Sequence, residues 1–334
     1  MPSAPSKESR TSSAFPTRSS ETVKRGGDPA YILFPARVFP MKFTADCGPC
    51  LMRRVLFQSR LVDNGLEFEA VKAAAEVLGE RMDPSTDSVR IATEVHRRAY
   101  RAVRSEDPYF ELKCRADAVA EPYGRQLEDR VDSADDPLRA AIMGVVAGNV
   151  MDFGSGTSID DPDMFSSVYD GIVAQGLGLD DVSNLEGLLS EVPGVVYMFD
   201  NCGESRLDMV LIRLLRRMGK RVVGVVRGAP ILNDVTMDDA RRIGMDRVTD
   251  RLLSTGKFYV GLDWDDVPPE LEEEISRCGL IIAKGMANYE ATSGRPVPVP
   301  IVHILRSKCG PVARSLGVPQ NVNVVKVVMP EDSA

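Results

Sequence analysis

The sequence predicts an α/β fold: a parallel sheet covered by helices on both sides, preceded by a helical subdomain. Three observations predict it. From about Met41 to Pro137, apolar residues recur at helical spacing. After about Pro193 the pattern changes to short, wholly apolar runs. Helical stretches such as Asp208 to Met218 and Pro269 to Arg277 lie between those runs. Strands that read as continuous apolar runs are buried on both faces, and their alternation with helices marks a parallel sheet.

Taken in order, residues 1–40 open the chain, and the first 30 of them are rich in Ser, Thr, Pro and Arg and lack apolar periodicity. Such a composition cannot offset its own ordering entropy, so this segment reads as a disordered basic tail. An organellar targeting peptide, or a start codon placed upstream of Met41, would give the same pattern. Residues 41–150 read as the helical subdomain. Leu51, Val55 and Leu56 share one face, as do Phe68, Val71, Ala75 and Leu78, and then Val89, Ala92, Val95, His96 and Ala99. Pro84 and Pro108 punctuate these helices. Asp136-Pro137 opens another, with proline in the first turn. Residues 151–330 read as the α/β domain. Its strands are expected at Val195–Phe199, Val222–Val226, Phe258–Gly261, Leu280–Ala283, Val299–Leu305 and Val322–Val328.

The 334 residues carry a formal net charge of -8. Residues 1–40 hold six Lys and Arg against three Asp and Glu, a net of +3, which leaves -11 on the rest. An acidic chain of this kind is unsuited to sequence-independent nucleic-acid binding. No apolar run approaches the length of a membrane span, and six Cys are too sparse for a disulfide scaffold. A reducing, cytoplasmic setting is therefore expected.

Candidate chemistry gathers where the strands end, which is where open α/β sheets bind ligands. The first run leads into Asp200-Asn201-Cys202-Gly203-Glu204. A carboxylate and a carboxamide there are hard oxygen donors of the kind Mg²⁺ or Mn²⁺ takes; they also serve as ordinary helix caps. The second run is followed by Asp234 in Arg227-Gly-Ala-Pro-Ile-Leu-Asn-Asp234-Val-Thr, placed to converge with Asp200 and Asn201 or to cap the next turn. A later run ends in Lys284-Gly285-Met-Ala-Asn288-Tyr-Glu290, where Lys284 can hold a phosphate as a point charge or sit on the surface. Asn149 and Asp152, in Gly148-Asn-Val-Met-Asp-Phe-Gly154, are polar groups in an apolar stretch that can meet a substrate or form a helix C-cap.

Together these segments, with Cys47-Gly-Pro-Cys50, resemble the damage-control phosphatases, the family also known as domain of unknown function 89, over about Met41 to Val328. The likeness is greatest to its prokaryotic branch with N-terminal cysteines. The resemblance implies a Rossmann-like α/β domain with an N-terminal helical part. It also implies divalent-metal-dependent hydrolysis of small phosphate monoesters, sugar phosphates or damaged phosphometabolites, with Mg²⁺, Mn²⁺, Co²⁺ or Ni²⁺ as cofactor. By that resemblance Asp200, Asn201 and Asp234 are metal ligands. Glu204, Lys284, Asn288, Asn149 and Asp152 line the phosphate and substrate pocket, with Gly285 and Glu290 beside them. Asp152 or Glu204 is then the group that accepts a proton or orients water, and Lys284 the one that holds a phosphoryl oxygen. Attack by water is favoured over a covalent aspartyl route.

Cys47 and Cys50 open a helix rather than following a strand, which argues against a thioredoxin fold. Two thiolates do not fill a zinc shell. The same branch tends to carry a cysteine where Cys309 stands, so Cys47, Cys50 and Cys309 are expected to form a second, softer metal site or a redox pair, or else to be inert. His96 and His303 read as packed side chains. Two further readings stand beside the phosphatase. One is an S-adenosylmethionine-dependent carboxyl methyltransferase, although no clear GxGxxG follows the first strand. The other is a non-enzymatic metal-binding or redox protein.

Overall fold

A computed structural model of the chain describes residues 41–330. The segment 1–40, with its tail, targeting and upstream-start readings, lies outside the described residues. In chain order the elements are α1 (Cys47–Val62), α2 (Glu67–Arg81), α3 (Ser88–Val103), α4 (Phe110–Ser133), α5 (Pro137–Gly148), α6 (Phe165–Ala174), β1 (Leu177–Asp180), α7 (Val182–Glu191), β2 (Gly194–Met198), α8 (Glu204–Arg217), β3 (Arg221–Val226), α9 (Met237–Arg242), β4 (Arg251–Ser254), α10 (Pro269–Cys278), β5 (Ile281–Lys284), α11 (Gly285–Thr292), β6 (Ile301–Arg306), α12 (Gly310–Leu316) and β7 (Asn323–Val328).

The strands form one sheet in the order β1-β7-β6-β5-β2-β3-β4. Every neighbouring pair is parallel except β6 and β7, which run antiparallel. The expected parallel sheet is thus present, with β7 reversed against β6, a detail the sequence hides because an apolar run carries no sign of its direction. β3 and β4 lie on one side of β2 and β5 on the other, so the chain switches direction between β2 and β5. That switch opens a crevice at the carboxyl ends of these two strands.

Alternate residues of the central strands serve two cores, as the two-residue period of a strand requires. Val195 and Tyr197 face a core built with α4, α5 and α8, while Val196 and Met198 face one built with α10. A third core belongs to α1, α2 and α3, joined by Phe43 from the segment before α1. The helices of 41–150 therefore do not share one core: α4 and α5 pack into the sheet's own hydrophobic layer, which runs across position 150. Local chemistry fixes the helix starts. Asp87 accepts from Val89 N at α3, Asp136 from Arg139 N at α5, and Thr236 with Asp239 makes a reciprocal capping box at α9.

One strand expectation is corrected. β4 lies at Arg251–Ser254, and Phe258–Gly261 is a loop whose Val260 N–H is held by Thr93 Oγ1 at 3.1 Å. Tyr259 and Val260 are buried in that loop rather than in the sheet. β1 and β4 are four-residue edge strands, half covered, and too short and mixed to show as apolar runs. The buried face of α2 is Ala70, Ala74, Val77 and Leu78, and Phe68 is 78% exposed. Small alanines allow either face of this helix to read as apolar. No helix among the described residues is long and apolar enough to cross a membrane.

Candidate active site

A cavity of about 500 Å³ opens between α1, α3 and the carboxyl ends of the central strands. Eight of the expected site residues line it: Cys47, Cys50, Asp152, Asp200, Asn201, Asp234, Glu290 and Cys309. Asn149, Glu204, Lys284, Gly285 and Asn288 stand behind that wall and do not line it.

The loops after β2 and β3 are tied together directly. Cys202 N donates to Asn233 O at 2.8 Å and Val235 N to Asp200 O at 2.9 Å, an antiparallel bridge that sets Asn201 opposite Asp234. Arg227, at the end of β3, fills the space between the two carboxylates. Its Nε donates to Asp234 Oδ2 at 2.6 Å, its Nη2 to Asp200 Oδ1 at 3.4 Å, and its Nη1 to Asn288 Oδ1 at 2.9 Å. Asp200 Oδ2 accepts from Asn201 Nδ2 at 2.8 Å and from Asn149 Nδ2 at 3.2 Å. Burial, then the charges of Asp234 and Glu204, push the Asp200 carboxyl well above its usual range, and burial raises Asp234 against the pull of Arg227. Gly285 has a φ of +74°, and a Cβ there would lie 1.7 Å from Asp200 Oδ2. Only glycine lets α11 start this close to the carboxylate.

Two buried carboxylates and a carboxamide oxygen, crowded enough to repel one another, form a hard donor set that suits a divalent cation such as Mg²⁺ or Mn²⁺. Among the described residues no three His, Cys, Asp or Glu side chains converge as a metal cluster. The third donor of this set is Asn201.

Lys284 departs from expectation. It is fully buried, and its Nζ donates to Asp208 Oδ1 at 2.7 Å and to Glu204 Oε1 at 3.4 Å. Those carboxylates, inside the core under α8, draw the ammonium away from the cavity and raise its pKa against the effect of burial. Asn149 and Asn288 are likewise committed. Asn149 donates to Glu204 Oε2 at 2.8 Å and accepts from Arg306 N at 3.1 Å, while Asn288 Nδ2 donates to Lys284 O and Phe199 O. These three side chains do not line the cavity; they brace the loops that do.

Asp152 is clasped by two cations. Arg54 Nη2 donates to Oδ2 at 3.0 Å, and Lys308 Nζ lies 2.8 Å from the same oxygen. Burial alone would raise its pKa, but Arg54 and Lys308 hold it far below the ordinary carboxylate range. A carboxylate so stabilised is a weaker proton acceptor than an ordinary one. Arg54 and Lys308 were missed from sequence because they come from α1 and the loop after β6, far from the strand-end motifs. Arg54 lines the cavity, and its Nη1 lies 2.8 Å from Asp152 Oδ1.

Glu290 faces the cavity with only Ser88 Oγ, at 3.2 Å, as a hydrogen-bond partner among the described residues, and burial pushes its carboxyl up to about 7. His96 is neutral, lowered to about 3 by burial, with Nδ1 at 3.0 Å from Gln58 Oε1. Cys47, Cys50 and Cys309 all carry free thiols on the cavity wall. Burial raises Cys47 and pushes Cys309 up to about 12, which favours thiols over the thiolates a soft metal needs. Cys202 is buried beneath the loop as a small filler.

The family model for the damage-control phosphatase ARMT1-like domain matches residues 43–324. A damage-control phosphatase of Archaeoglobus fulgidus is 36% identical over 291 residues, 86% of this chain and 100% of that protein. A second protein of that name, from Pyrococcus horikoshii, is 25% identical over 287 residues, 85% of this chain and 97% of that one. A crystal structure of a DUF89 family protein from Pyrococcus horikoshii matches with a TM-score of 0.73 at 24% identity, covering 85% of this chain and 98% of that one. At that identity the match shows the fold.

Proposed function

Since the chain belongs to the damage-control phosphatase ARMT1-like domain family, we propose that it is a divalent-metal-dependent phosphatase of small phosphate monoesters, either sugar phosphates or damaged phosphometabolites. One observation carries the reading: Asp200, Asn201 and Asp234 meet in the wall of a cavity large enough for such a substrate. These three would hold the metal. When bound, it would draw charge from a phosphoryl oxygen as a Lewis acid.

The chain's own groups supply the rest. A phosphomonoester near neutral pH carries about two negative charges, which must be neutralised while the attack is held in line. Arg54, ion-paired with Asp152 through both Nη atoms, brings its positive charge to the cavity wall, where it can attract a phosphoryl oxygen. Arg227 keeps Asp200 and Asp234 at a set separation. Lys284 and Asn149 hold Glu204 in place behind Asp200. Glu290, protonated below about 7, can donate to a substrate hydroxyl. The apolar wall of Leu232, Val260 and Met286 excludes water around the body of the substrate.

The test is phosphate release from a broad panel of phosphomonoesters with Mg²⁺, Mn²⁺, Co²⁺ or Ni²⁺. Release is expected with at least one metal, lost on chelation, and reduced at least about 100-fold in Asp200→Ala, with unchanged circular dichroism. If no member of the panel is hydrolysed with any of the four metals, the reading fails. Transfer of a methyl group from S-adenosylmethionine without phosphate release would favour the methyltransferase instead.

A further inference from the structure

A ring of linked charges, with Lys113, Asp117 and Asp239 buried and Arg242 exposed, lies on the far side of the two loops, away from the cavity. Lys113 and Asp117 stand one turn apart on α4, 0% and 3% exposed. Asp117 Oδ1 accepts from Gly203 N at 2.8 Å, two residues beyond Asn201. Its Oδ2 accepts from Arg242 Nη2 at 2.9 Å. Arg242 Nη1 is 2.8 Å from Asp239 Oδ1, and Asp239 Oδ2 receives Lys113 Nζ at 2.7 Å. The same Asp239 oxygen accepts from the Thr236 hydroxyl at 2.7 Å and the Thr236 N–H at 3.0 Å, two residues beyond Asp234. Asp107 lies 2.5 Å from Lys113 on its other side.

The ring therefore closes from α4 to the first loop, to α9 and the second loop, and back to α4. Gly203 has a φ of +85°, and a Cβ there would press on Met151 Sδ at 2.4 Å and Ala116 Cβ at 3.0 Å, so this loop is seated directly on α4. Burying such charges is costly, and apolar replacements of equal volume are often as stable. What paired charges add is a fixed separation between the groups they join.

We propose that Asp117, with Lys113 and Arg242, is a positioning residue that sets the spacing of Asp200 and Asn201 from Asp234 and thereby the affinity for the divalent cation. The proposal rests on the metal reading above. Replacing groups that hold metal ligands in place typically costs about 10- to 100-fold in metal affinity, and that is the loss expected for Asp117→Ala.

The experiment is calorimetric titration of the whole protein with Mn²⁺, alongside thermal melts. Asp117→Ala is expected to weaken binding by that factor. Asp117→Asn, which keeps an acceptor for Gly203 N but loses the charge facing Arg242, is expected to lose less. Glu128→Gln, which breaks the α4–α8 ion pair with Arg213, is expected to change the melt but not the affinity. An Asp117→Ala protein that melts earlier yet binds Mn²⁺ like the unaltered chain would overturn the proposal. Where that variant does not fold, unaltered affinity in Asp117→Asn would overturn it. Failure of the unaltered chain to bind Mn²⁺ would instead overturn the metal reading, and this proposal with it.

Discussion

Glu290 shows how one cavity side chain ties pH to stability. Burial, then Asp152 and Asp87, raise its carboxyl to about 7, while the Ser88 hydroxyl and Arg54 pull it down and Cys47 and Cys309 lie nearby. An unfolded glutamate titrates near about 4.3. Between those values the folded chain holds a proton that the unfolded chain releases. The stability this contributes is complete below the lower value and is lost as pH rises through the upper one. Glu290→Gln is therefore expected to flatten the fall in stability between about pH 5 and 7, read by urea denaturation across that range. An unchanged slope would remove Glu290 as its source. At this scale the sequence was partly legible. Asp200, Asn201 and Asp234 sit where strand ends place ligands, and all three line the cavity. Lys284 could not be placed, because its direction depends on Asp208 from the next helix face. Arg54 and Lys308 could not be found, because nothing in the sequence near Asp152 indicates the cations that clasp it.

Among the elements, the start of α11 is the most constrained. Gly285→Ala must adopt a left-handed backbone, at about 1–2 kcal/mol, and must also push Asp200 aside, since the new methyl would lie 1.7 Å from its Oδ2. Loss of phosphate release is expected with only a modest fall in melting temperature. Full activity would show that Asp200 has room to move. The central strands were legible because burial on both faces leaves only apolar residues. β1 and β4 were not, because an edge strand needs no such run. The direction of β7 and the division of helices between cores were hidden for a related reason: an apolar face shows that it will be covered, not by what.

For the molecule as a whole, the proposed metal site would give the acidity a use. The net charge of -8 gives no general affinity for anions, yet on the proposed reading crowded carboxylates at one crevice would favour a cation and, through it, a dianion. Binding confined to the folded state should raise stability by about 2.7 kcal/mol at a metal concentration of 100 times Kd. A melt with and without Mn²⁺ reads this, and Asp200→Ala should abolish the difference. An equal rise in that variant would place the ion elsewhere. The sequence by itself determined the fold class, the order of most elements and the loops that bear the oxygen donors, since periodicity and turn chemistry are local properties. Only the tertiary structure decided which side chains face the cavity, which brace it from behind, and which are neutralised by distant partners. Those outcomes depend on burial and on the distances between charges, and neither exists until the chain is packed.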